Sequence, residues 1–256
     1  MCLLCCSGSV KDDRSLLQKI CDTVGCRGPV DQCLQLLVED TGSDEMLWQL
    51  RSTPKRLPKS AASQTESLQA VLEKSTKLPL IIKRRLAVIF AHSLLQLHES
   101  YWKNKEWSKN HIFFFYGNAG ALNFERPYLS TVFDPAIDEK HPPLDLNRFH
   151  RNPSILALGI LLIEIHTGKL IENFRTETER QQVNTNTDLA VANRVVMTLE
   201  DCSLGYRDVI QSCLDTPWVP AGQRVNLEDA ATRIGVYQDV IKPLEEEFSY
   251  LFREKI

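Results

Sequence analysis

The segment Asn152-Pro-Ser-Ile-Leu-Ala-Leu-Gly-Ile-Leu-Leu-Ile-Glu-Ile-His-Thr-Gly168 restricts the folds open to this chain more than any other. It reads as a helix that is apolar nearly all round, with Gly159 inside it, one acid (Glu164) and a Thr-Gly stop. A helix without a polar face has to be wrapped by protein or by lipid. The apolar run Ile155 to Ile163 is much shorter than the ~20 residues that cross a bilayer. The segment is therefore expected to be a central core helix around which the rest packs. A carboxylate there cannot stay charged without a partner, so a basic residue, expected to be an arginine, must reach Glu164.

The 256 residues hold either one large domain or two small ones, and 43% hydrophobic with 25% charged residues is the balance of a soluble globular chain. A net charge of −3 gives no footprint for nucleic acid. The basic triple Lys83-Arg84-Arg85 reads as a solvated helix face. Of eight cysteines, six (Cys2, Cys5, Cys6, Cys21, Cys26 and Cys33) come early. Their spacing fits neither a small disulfide framework nor a zinc site, since Cys2-x-x-Cys5 has no convincing second pair. The start Met1-Cys-Leu-Leu-Cys-Cys does not read as a cleavable signal, so reduced thiols in the cytoplasm are expected. Cys2, Cys5 and Cys6 are candidates for S-acylation, which alone among these features would bring the chain to a membrane. Stable anchoring needs a second signal, and an unmodified start is the simpler reading.

Along the chain, Leu16, Leu17, Ile20 and Val24 predict a short helix over 11–25. Cys33–Val38 and Met46–Leu50 flank a polar turn and predict a hairpin. Residues Ser52 to Thr65 lack periodicity and read as a flexible loop. Helices are expected over Glu66–Lys74 and Pro79–Ser100, the second begun by a proline that costs nothing there. Trp102, Trp107 and Ile112-Phe-Phe-Phe115 form an aromatic patch leading into a strand, and Tyr128–Phe133 is a second strand candidate. After the central helix, Phe174–Thr187 reads as surface loop. Helices should follow over Asp188–Leu199, Leu204–Leu214, Leu227–Gly235 and Tyr237–Arg253, with Asn226 and Asp229 suited to an N-terminal cap. The predicted class is mainly α (α+β), with residues 1–65 forming a small front unit and 66–256 a helical body.

Several of these pieces resemble the carboxyl lobe of protein kinases. Leu158-Gly-Ile-Leu-Leu-Ile-Glu164 is similar to the central helix of that lobe, and Leu86 to His98 to the long helix ending in Leu-His. Tyr206-Arg-Asp-Val-Ile-Gln-Ser-Cys-Leu214 with Gln223-Arg-Val225 resembles the late Cys-Leu…Arg-Pro segment. More narrowly, Leu94-Leu-Gln-Leu-His98, Trp102 and Trp107, Ser108-Lys-Asn-His-Ile-Phe-Phe114 and Pro127-Tyr-Leu-Ser130 resemble an uncharacterised fungal domain family with a degenerate kinase-like carboxyl lobe. Members of that family sometimes stand behind a helical domain linked to prion formation or cell death. The resemblance implies a degenerate kinase-like body behind a vestigial front hairpin. It also implies structural roles for His98, Gly159 and Glu164, with Arg224 as the acid's partner, while Trp102 and Trp107 fill the underside of their loop.

The chemistry of a kinase does not follow. Phosphoryl transfer is positioning plus charge neutralisation, so a phosphate-covering glycine loop, a strand lysine and metal-binding acids are indispensable. No Gly-x-Gly-x-x-Gly occurs, and no Val-Ala-Ile-Lys-like run precedes Leu86. The 78 residues before the long helix are too few for a full amino lobe. Alignment on Ile112 places Asn104-Lys-Glu106 where the catalytic His-Arg-Asp would stand, and His111 where a metal-binding asparagine would stand. The aspartate that braces the catalytic loop falls on Ser154, and where the metal-binding Asp-Phe-Gly should follow, Pro127-Tyr-Leu-Ser-Thr-Val-Phe133 offers no acid until Asp134. Glu106, His111 and Lys105 are the candidates for any residual catalysis, although a Lys-Asn-Lys-Glu run is more simply a solvated loop. The expected function is a non-catalytic, pseudokinase-like interaction module without a cofactor, with a protein partner. Two alternatives stay open: a residual nucleotide binder or phosphotransferase with a rebuilt cleft, and a relic that has lost a partner domain.

Overall fold

The structure, a computed structural model, describes residues 6–10, 32–40, 46–54, 65–74, 77–97, 108–117, 120–129, 149–184, 186–220, 223 and 225–253, with the backbone course alone before residue 55. The chain divides into two compact units, Met1–Ala62 and Ser63–Ile256.

In the first unit β1 (Cys6–Val10), β2 (Gln32–Asp40) and β3 (Met46–Pro54) form an antiparallel sheet in the order β1-β3-β2. The expected hairpin is β2 with β3, paired from Gln32↔Pro54 to Asp40↔Met46. Both arms run longer than the alternation indicated. Ser52 to Pro54, read as the start of a loop, instead continue β3, with the proline at the strand end. β1 has no counterpart in the sequence reading; it pairs Cys6 with Leu50 and Val10 with Met46. Directly opposed residues share a face, so the register gathers Cys6, Val10, Leu36, Val38, Met46, Trp48 and Leu50 on one face. Ser7, Gln35, Gln49 and Arg51 fall on the other, together with Leu37 and Leu47, so the segregation of apolar from polar residues is partial. The helix expected over 11–25 lies outside the described residues.

The second unit is mainly helical. A small antiparallel sheet of β4 (Thr65–Ser67), β5 (Ile112–Phe115) and β6 (Tyr128–Leu129) has β5 in the middle. Ile112 and Phe114 turn into the core, and Phe115 meets Tyr128 edge-on at 4.6 Å. The helix expected from Glu66 begins later, as α1 (Leu68–Glu73), because Ser67 is its cap and accepts the Ala70 amide. α2 (Leu80–Leu97) follows.

The central helix, α3 (Pro153–Thr167), has the ends that the sequence specifies. The Asn152 side chain accepts the amides of Ser154 and Ile155, Pro153 stands in the first turn, and Gly168 closes the helix at φ 68°. Left-handed backbone of that kind suits glycine. All of Leu161 to His166 is buried, and α3 packs against α2, α5 (Thr187–Met197) and α6 (Leu204–Asp215).

The stretch Phe174–Thr187 is not the plain loop expected from its polarity. A 3₁₀ turn, Ile171–Phe174, leads to α4 (Glu177–Gln181), begun by a capping box in which Thr176 and Glu179 satisfy each other's backbone. The signal was present as Thr-x-x-Glu, but no apolar run follows it.

The last two helices are continuous. α7 (Ala230–Val236) passes through a π turn, Tyr237–Ile241, into α8 (Lys242–Phe252). Pro243 explains the wide turn: in α register its ring clashes with the carbonyl four residues back, and it has no amide to offer. The Lys242 amide instead reaches the Tyr237 carbonyl, five residues back. Asp229 precedes α7 but makes no side-chain cap bond, while Asn226 accepts the Glu228 amide, so the capping expected of this pair is only a turn.

Candidate functional site

Among the described residues Glu66, Arg84, His150, Glu164 and His166 are the buried acidic and basic side chains, and at two places the clusters they form involve side chains of α3 itself. The first is Glu164. Its side chain is 1% exposed, and its partner is Lys109, whose Nζ stands 2.6 Å from Glu164 Oε1. The same ammonium holds Glu172, on the 3₁₀ turn, at 2.9 Å (Oε1) and 2.7 Å (Oε2). The Ile171 amide donates to Glu164 Oε1 at 2.8 Å. One lysine in the loop before β5 thus ties that loop to the central helix and to the turn that follows it.

Among the described residues the cation at Glu164 is a lysine, where an arginine was expected. Arg224, the residue proposed for it, lies outside the described residues. Burial pushes the Glu164 pKa up and outweighs the attraction of Lys109. Burial acts on Lys109 in the opposite sense, yet two carboxylates hold its ammonium more firmly than water does, and its pKa rises. Glu164 Oε2 is buried with no hydrogen-bond partner.

The second place is Arg84, the middle residue of the basic triple read as a solvated face. Arg84 is only 3% exposed, whereas Lys83 and Arg85 are partly exposed. Its Nε donates to Glu247 Oε1 on α8 at 3.0 Å, its Nη1 faces His166 Nδ1 at 3.3 Å, and its guanidinium lies 3.8 Å from the centre of the Tyr206 ring. Ser203, the cap of α6, donates to Glu247 Oε1 at 2.8 Å, and the Tyr206 hydroxyl donates to the Leu162 carbonyl of α3. Lys83 Nζ donates to the His166 carbonyl at 2.6 Å. Four helices, α2, α3, α6 and α8, are joined at this point. The sequence signal was the position of His166 on a helix with no polar face, since a histidine there needs a buried partner.

A third group is structural. His150 is buried; its Nδ1 accepts the Asn152 amide and its Nε2 donates to the Cys213 carbonyl at 2.9 Å. Arg151 donates to the carbonyls of Val219 and Pro220. These bonds seat the start of α3 against the end of α6.

Of the other residues singled out from the sequence, His111 ends the turn before β5, where its amide bonds the Ser108 carbonyl and its Nδ1 is buried without a partner. Gly159 lies against α6, where an added Cβ would stand 3.0 Å from Cys213 Cβ. Cys6 is in β1. His98, Trp102, Lys105, Glu106, Trp107, Cys2 and Cys5 lie outside the described residues. Among the described residues no three His, Cys, Asp or Glu are grouped to hold a metal ion, and no helix is long and apolar enough to cross a membrane.

Fold and site together define a mainly helical α+β protein organised on a buried, acid-bearing central helix. The model of a family described as a domain of unknown function, DUF7580, matches residues 2–250, and the chain belongs to that family. No curated protein matches it.

Proposed function

We propose that the chain is a non-catalytic, pseudokinase-like interaction or signalling module that presents its helical body to a protein partner, a reading that the resemblance to an uncharacterised fungal domain family supports. Lys109 is the observation that carries this reading. It stands in the stretch that the resemblance aligns with a kinase catalytic loop. There it is spent on Glu164 and Glu172, at 2.6 and 2.7 Å, holding the loop down rather than facing a phosphate. A brace in that position keeps a scaffold while leaving out the charge neutralisation that phosphoryl transfer requires. The outer surface adds support. Leu204 is 74% exposed beside Ser203, whose hydroxyl is bonded to Glu247, and Tyr250, 85% exposed, lies one turn along α8 from Glu247.

The reading is tested by thermal-shift titration of the chain with ATP, with and without magnesium or manganese. A nucleotide at 100 times its Kd stabilises the folded state by ~2.7 kcal/mol, well within the range of a melt. No shift is expected at millimolar ATP. A metal-dependent shift that disappears in Glu106→Gln or His111→Ala would replace this reading with that of a residual nucleotide enzyme.

A further inference from the structure

We propose that Arg84, His166 and Glu247 form a two-position latch, tripped by a proton on the imidazole, that loosens the joint between α2, α3, α6 and α8 in mildly acidic conditions. The inference is independent of the proposed function, because it rests on the hydrogen bonds of the joint alone.

The partners of His166 settle its neutral form. Nε2 lies 3.1 Å from the Glu200 carbonyl, which only accepts, so Nε2 carries the proton. Nδ1 faces Arg84 Nη1, which only donates, so Nδ1 must accept. A proton on Nδ1 would set N–H against N–H.

The surroundings decide which group gives way. From α2, Arg84 and the Lys83 ammonium both face His166. From α8 comes Glu247, already engaged by Arg84 and by Ser203. From α6 comes the Tyr206 ring, 5.6 Å from the imidazole centre, and the loop before it gives the Glu200 carbonyl. Cys202, in the same loop, is a half-buried thiol within the field of Arg84 and Glu247. Two cations therefore oppose an imidazolium and one shared carboxylate favours it. Burial, Arg84 and Lys83 hold the His166 pKa below its ordinary 6.5.

Glu247 supplies the second position. Its Oε2 is buried and has no partner. A guanidinium repelled from the imidazole can keep Nε on Oε1 and place an Nη on Oε2, the side-by-side fork that arginine makes with carboxylates. The fork uses Nε and Nη2, so Arg84 stays anchored to Glu247 while repulsion between Nη1 and the imidazolium drives Nη1 off His166. The bond from α2 to α3 is lost while the bond from α2 to α8 strengthens.

The test uses the full chain with ¹⁵N-labelled histidine, followed by NMR from pH 8 to pH 5. His166 should be the Nε2–H form at pH 7.5 and should titrate below 6.5. Titration at or above 6.5, or the other tautomer, would overturn the latch, and this arm needs no variant. In parallel, Tm is compared for the wild type and His166→Gln at pH 7.5 and 5.5. Because the unfolded state takes up the proton first, the wild type should lose about 3 °C more than the variant; parallel losses would count against the proposal. Amide exchange of residues 204–208, corrected for the intrinsic pH dependence, should rise at pH 5.5 in the wild type only. An unchanged rate would mean that the imidazole is buried but moves nothing.

Discussion

At the scale of single residues, Lys109 and Glu164 set the sharpest test. Replacing a well-packed buried ion pair by neutral groups is often harmless, whereas removing one partner leaves a stranded charge and costs ~3–5 kcal/mol. Lys109→Met should therefore destabilise by about 3 kcal/mol in urea unfolding at pH 7. Lys109→Met/Glu164→Gln, which retains the acceptor for the Ile171 amide, should recover more than half of that. The pH dependence has a definite sign. Burial already raises the Glu164 pKa, and losing Lys109 raises it further. A carboxyl whose folded pKa lies above its unfolded value binds the proton more tightly when folded. The deficit of Lys109→Met should thus shrink as pH falls from 7 toward 4.5, and a deficit constant with pH would show that Lys109 acts by packing alone. The need for a cation at Glu164 was legible in the sequence because the acid stood on a helix with no wet side. Its identity was not, since reach depends on how a loop 55 residues away folds back. Arg84 was misread for a related reason. Three consecutive helical residues point about 100° apart, and charge alone does not tell which of them turns inward.

At the scale of elements, two glycines set how closely helices approach. An alanine Cβ at Gly159 would meet Cys213 Cβ at 3.0 Å and Leu214 Cδ2 at 3.3 Å across the α3–α6 contact. At Gly235 it would run into the Trp218 side chain at Cβ and Cγ. Alanine gains about 1 kcal/mol of helix propensity in either place, and overpacking costs ~1–3 kcal/mol, sometimes more. Gly159→Ala should therefore lose no more than about 2 kcal/mol in urea unfolding. Gly235→Ala should lose more, with altered Trp fluorescence, because an indole ring cannot yield an ångström as a flexible chain end does. Equal losses would show that Trp218 swings aside. The elements themselves were legible in proportion to their local signals. α3 carries Asn-Pro at one end and Thr-Gly at the other, and both ends fall where those residues place them. α4 was missed because all five of its residues are polar, so its capping box had no periodicity beside it. β1 was missed because Ser7 and Gly8 carry no strand preference, and only its pairing with β3 defines it. The π turn went unseen inside the helix expected over Tyr237–Arg253, because hydrophobic periodicity does not register one turn widened by a single residue.

At the scale of the whole molecule, the helical body has an interior of its own. Among the described residues the buried core runs from Leu68 to Phe248, all within Ser63–Ile256. It joins α2 to α8, α3 to α6 and β5 to α1, so the helical body has the contiguous interior of a domain able to fold alone. The first unit has 62 residues, a size at which a single apolar face gives marginal stability. The fragment 63–256 should accordingly fold by itself, with a helical circular dichroism spectrum and a cooperative melt. Its midpoint should lie within about 5 °C of that of the full chain, a difference worth ~1–2 kcal/mol at this size. The fragment also keeps Lys109, Glu164, Arg84, His166 and Glu247, so the pH dependence assigned to the latch should survive in it unchanged. A fragment that melts without cooperativity would show that the body depends on the front sheet. A folded fragment that has lost the pH dependence would place the acid-sensitive group in the first 62 residues and not at His166.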